Sequence, residues 1–80
     1  QADYKNAIKV LKEAAKAEPA DHTVHHYLGL SLMNENKLKD AEKAFERAIK
    51  LNPNFAGSQT GLAYIYLRRD KLKSAAETAE

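Results

Sequence analysis

Cysteine and tryptophan are absent from the chain, proline occurs twice and glycine three times. Without cysteine there is no disulfide framework, no thiolate zinc site and no thiol nucleophile. The compartment stays open on that count, with the cytoplasm slightly favoured. So little glycine and proline leaves too few turn signals for an all-β fold. No run of about eighteen apolar residues exists to span a bilayer, so membrane insertion is not expected. Gln1-Ala2-Asp3-Tyr4 does not read as a signal peptide, although a leader removed or lying upstream is compatible with it. Charge of one sign is lacking too. Thirteen basic and eleven acidic side chains leave +2, which argues against nucleic acid as the main partner.

What remains is an 80-residue chain whose 35 hydrophobic residues include 14 alanines, leaving 21 large apolar side chains. That is too few for two packed sheets. It suits one small domain of helices packed closely through small residues, an all-α fold.

The pattern repeats. Sliding the chain by 34 residues pairs 1–46 with 35–80 and gives twelve identities, Pro19 with Pro53 and Leu28 with Leu62 among them. Chance would give about three or four. From Leu38, apolar residues recur at Ala41, Ala44, Phe45, Ala48 and Ile49, one stripe of a helix. Tyr4, Ala7, Ile8, Leu11, Ala14 and Ala15 make the same stripe earlier. Pro19 and Pro53 end the helices before them. Asp21 and Asn54 stand where N-caps are expected, and Asn34-Glu35-Asn36 and Arg69-Asp70 supply turns. The predicted helices are 4–18, 22–34, 38–51, 55–68 and 72–80.

These residues resemble the tetratricopeptide repeat. The full copy runs over residues 22–55: Leu28-Gly29 matches the family's Leu-Gly, then Ala41, Phe45, Ala48 and Pro53 follow in register. His25 stands in the Trp position and Leu32 in the Tyr position. Residues 1–21 look like the second half of a preceding copy. Residues 56–80 look like a partial following one, with Gln59 for the Trp and Ala79 for the Phe. The resemblance implies a right-handed superhelix of antiparallel helix pairs. Gly29 and Ala63 would be small where each first helix meets its partner, and stacked hairpins would bury the faces each leaves open.

Chemistry-bearing residues are few. His22 and His26 are four apart and could share a helix face, but no third strong ligand stands at helical spacing, so no metal site is expected. The reading is that His25 fills the place of the packing Trp, with His22 and His26 solvated. Ser31, Ser58 and Ser74 are isolated from any base, and no phosphate loop is present, so neither catalysis nor a cofactor is expected. Lys5, Lys9, Lys12 and Lys16, with Lys39, Lys43, Arg47 and Lys50, form rows mixed with glutamates. Such rows are ordinary on exposed helices.

Through the family resemblance, a concave groove should be lined by Thr23, His26, Tyr27, Leu30 and Asn34 of one first helix. Thr60, Gly61, Tyr64, Leu67 and Arg68 should come from the next. Gly61 beside Tyr27 would leave room for a ligand side chain. In co-chaperone members a Lys, Asn and Arg set grips a terminal carboxylate; the corresponding places here hold His26, Tyr27, Leu30, Gly57 and Gly61, so that clamp is missing. The expected function is therefore a non-enzymatic protein–protein interaction module that binds a peptide or protein segment. Two alternatives are a structural module of a longer array, with homo-oligomers formed through uncapped ends, and a helical-repeat RNA binder. The 34-residue period and balanced charge argue against the RNA binder.

Overall fold

Asp3 begins the first helix, its carboxylate accepting from the Asn6 amide at 3.1 Å, so a short acidic side chain satisfies one of the free N–H groups there. A computed structural model describes residues 3–78, with side chains from Asp3 to Lys71. Four helices follow in order: α1 (Tyr4–Ala17), α2 (His22–Asn34), α3 (Leu38–Leu51) and α4 (Ala56–Thr78). Asp21 caps α2 as expected by accepting from Thr23 N at 3.0 Å. Asn54 does not cap α4. It lies in the preceding turn, its amide donating to Asn52 Oδ1 at 3.2 Å.

Between α2 and α3 the chain reverses through Asn36 at φ 63°, the left-handed conformation that Asn tolerates better than most residues. Lys37 N donates to Leu32 O at 2.8 Å and Asn36 N to Met33 O at 3.0 Å. This paired closure satisfies the carbonyls at the end of α2. A second reversal, expected at Arg69-Asp70, does not occur. The helices predicted at 55–68 and 72–80 are one, α4, of 23 residues. Residues 62–78 contain no Gly, Pro or Asn to end it. Residues 79–80 of that expectation lie outside the described residues.

The core lies where α2, α3 and α4 meet. Phe45, Ala41 and Ile65 are fully buried there, with Leu28, Leu32, Leu38, Ala44 and Ala48 around them and Ile8 contributed by α1. Phe45 dictates two of the three glycines. A Cβ on Gly29 would stand 2.9 Å from its ring and one on Gly61 2.6 Å, distances that no real contact tolerates. Gly29 is thus small for its partner helix, as expected. Ala63, its counterpart 34 residues on, is exposed, because α4 runs on past it as one helix and, among the described residues, no partner helix folds back over it.

The Trp positions are filled by polar donors. The His25 Nε2–H donates to Pro19 O at 3.0 Å, and Gln59 Nε2 donates to Pro53 O. The two bonds are copies of one another at a shift of 34. In each, a side chain six residues past the proline satisfies a carbonyl at the preceding turn.

Candidate functional site

A cavity of about 400 Å³ opens between α2 and α4, lined by Leu30, Met33, Asn34, Gly57, Thr60, Gly61, Tyr64 and Arg68. Six of the ten predicted groove residues are gathered in it: Leu30, Asn34, Thr60, Gly61, Tyr64 and Arg68. Its walls are apolar where Leu30, Met33 and Tyr64 stand. Arg68 is the one charged side chain in its lining. The Arg68 guanidinium donates to Asn36 Oδ1 at 2.8 Å and lies 5.8 Å from the centre of the Tyr64 ring. Asn36 therefore does two jobs, turning the chain and orienting the groove's cation. Asn34 Nδ2 donates back to Leu30 O at 2.8 Å within α2.

Thr23, Tyr27 and Leu67 stand outside this cavity. Tyr27 and Leu67 are well exposed, at 56% and 62%, along the same faces of α2 and α4. His26 is not available to a ligand in the expected way. Its ring is buried among Phe45, Phe55 and Tyr27, with centroids 5.7, 5.0 and 5.3 Å away, and its Nδ1 is hydrogen-bonded to Ser58 Oγ at 3.0 Å. Burial, reinforced by the nearby His22, holds the His26 imidazole below its ordinary value and so in the neutral form. The room expected at Gly61 is taken by Phe45 rather than left for a guest.

His22 is not simply solvated either. Its Nε2 is hydrogen-bonded to the Asn52 side-chain amide at 3.1 Å, and Phe55 packs on the ring at 5.1 Å. The Nδ1 of His22 is buried without a partner. Among the described residues no three His, Asp or Glu groups converge as metal ligands would.

Met33 and Gly57 were not among the predicted groove residues. Met33 follows Leu30 by three, a spacing that places it on the same side of α2. Gly57 is held small by Phe55, 3.0 Å from where its Cβ would be, and by His26 at 3.2 Å.

Two family models, both described as tetratricopeptide repeat, match residues 22–55 and 44–77. The chain belongs to the tetratricopeptide repeat family. With four antiparallel-packed helices and the repeat match, its architecture is the helical-repeat superhelix of that family. Among curated proteins it is similar to the peroxisomal targeting signal receptor of Candida glabrata, at 32% identity over 94% of this chain and 13% of the relative. The receptor of the same name in Saccharomyces cerevisiae is 31% identical over 92% of this chain and 12% of the relative. A further relative, the Saccharomyces cerevisiae protein called essential for maintenance of the cell wall protein 1, is 29% identical over 94% of this chain and 8% of its own length. The chain thus spans roughly an eighth of the length of the receptors it matches. No solved structure matches it significantly.

Proposed function

We propose that the chain is a non-enzymatic recognition module that holds a peptide or protein segment in the cavity between α2 and α4. One observation carries the reading: an apolar trough of about 400 Å³ whose single charged group is a guanidinium already oriented by Asn36 and Tyr64. A trough of this kind accepts side chains without rebuilding the protein, so little ordering cost falls on the receptor side. Tyr64, half exposed, supplies large area at low rotamer cost, which is what binding hot spots require. Relatives that are named as receptors for a targeting signal fit the same kind of work. The partner class is a protein, with neither RNA nor a membrane as the principal ligand.

The test is a pull-down with the 80-residue chain and mass spectrometry, followed by titration of the recovered segment. Tyr64→Ala should weaken binding by about 1–3 kcal/mol, and Tyr27→Ala by less, since Tyr27 lies beyond the cavity lining. Charge reversal at Lys43, on the other side of the molecule, should leave this affinity unchanged. Loss of binding on reversing Lys43, with Tyr64→Ala inert, would place the site elsewhere.

A further inference from the structure

A second cleft, of about 410 Å³, is lined by Lys12 of α1, His25, Leu28 and Leu32 of α2, and Asp40, Lys43, Ala44 and Arg47 of α3. On α2, the residues facing it are centred roughly 160° around the helix from Leu30, Met33 and Asn34, at 3.6 residues per turn. The two clefts therefore open on opposite sides of α2. Three cations meet at this one against a single carboxylate, Asp40. Lys43 and Arg47 are four apart on α3, a like-charge spacing that costs the isolated helix stability. Lys12 faces them from another helix. Among the described residues none of the three is ion-paired; the ion pair present joins Arg69 to Glu42. Leu28, Leu32 and Ala44 lie at its base only 8%, 3% and 8% exposed, so the apolar floor they offer is small, and the aliphatic stems of the cations extend it.

We infer that this cleft is a docking site for an acidic segment of a partner protein, one that sets a bulky apolar side chain on the Leu28–Leu32–Ala44 floor and carboxylates against Lys12, Lys43 and Arg47. Converging like charges over low-dielectric walls focus a positive potential and draw in an anion. The floor selects among anions. A phosphate backbone or a lipid headgroup would satisfy the cations alone, whereas an acidic peptide with leucines would also cover their aliphatic stems and the narrow floor between them. The site is separate from the α2–α4 trough and does not depend on what binds there.

The experiment is fluorescence anisotropy of the 80-residue chain with a labelled peptide of alternating Glu and Leu. Companion peptides carry Gln for Glu or Ser for Leu. Saturable binding is expected, weakened about tenfold or more by the Lys12→Glu/Arg47→Glu double reversal and unchanged by Tyr64→Ala. Both companion peptides should bind more weakly than the parent. Lys12→Ala/Arg47→Ala, checked for folding by circular dichroism, serves if the double reversal unfolds. Absence of saturable binding, indifference to both double variants, or equal binding of the Ser-for-Leu peptide overturns the inference. So does equal or tighter binding, sensitive to the same variants, of phosphatidylserine vesicles or of an oligouridine RNA. Loss in Tyr64→Ala would assign the peptide to the other cleft and overturn it as well.

Discussion

The α2–α3 hairpin and α4 start from related sequences 34 residues apart and end in different shapes. Glu35-Asn36-Lys37 reverses the chain, and Arg69-Asp70-Lys71 does not. Asn at φ 63° closes the first turn, while Asp70 stays helical among good helix formers. Reversal brings α3 over Gly29 and leaves Leu32 only 3% exposed; without it, Tyr66, the counterpart of Leu32, is 48% exposed. The presence or absence of that turn thus accompanies the difference between a helix face that is core and one that is surface.

Phe45 is the sharpest instrument for testing the buried side of that contrast. Phe45→Ala should cost about 3–5 kcal/mol and, in a domain this small, abolish the cooperative melt followed by circular dichroism. Gly61→Ala should cost about 1–3 kcal/mol by forcing the ring aside. That loss should shrink in a Phe45→Leu background, which a double-mutant cycle would measure. If Gly61→Ala were neutral in both, the ring would have space the geometry denies it.

The turns themselves come next. Asn36→Ala should cost about 1–2 kcal/mol, the usual penalty for an L residue held left-handed, and should also loosen Arg68. Asp70→Gly should cost about 1 kcal/mol or less and lower helicity, because it weakens α4 in its interior. A rise in stability with Asp70→Gly, accompanied by a shorter distance between labels at residues 58 and 77, would show α4 breaking into the hairpin that its counterpart forms.

The smallest effect separates the regions by pH. His26 is buried, and Thr60, its counterpart, is exposed and does not titrate. The folded state holds His26 below its ordinary value, so the unfolded chain takes up the proton more readily. Stability from the neutral ring is full above about pH 6.5 and is lost as pH falls through that value to the lowered folded one. Melting temperatures should therefore drop between about pH 7 and pH 5, and His26→Gln should flatten that slope.

Helical period, the prolines and the 34-residue spacing made α1, α2 and α3 legible, with ends within a residue of those observed. The apolar core around Phe45 was legible for the same reason. The long α4 was not, because the periodicity of its two halves is the same whether or not a turn separates them. Repeat logic favoured a turn; local propensity at Asp70 won. At the site, Leu30, Asn34, Thr60, Tyr64 and Arg68 follow from which faces of α2 and α4 the family geometry turns inward. His26 did not, since its burial depends on Phe55, which reaches it from the loop before α4 and carries no periodic signal. Nor did Asn36 reveal from sequence that it also holds Arg68.

The ring of Phe45 belongs to two repeats at once, touching Gly29 in its own and Gly61 in the next. Long arrays of stacked units can unravel from one end while the rest persists, because each unit keeps much of its stabilisation to itself. Here that independence is curtailed. Peeling α4 away would bare one face of the ring and remove the hydroxyl that Ser58 gives to His26, so the remaining hairpin would lose interior contacts on two helices together. Amides in α2, α3 and the first half of α4 should then become open to solvent exchange in a single event, and a ligand lodged between α2 and α4 would slow that event for all three.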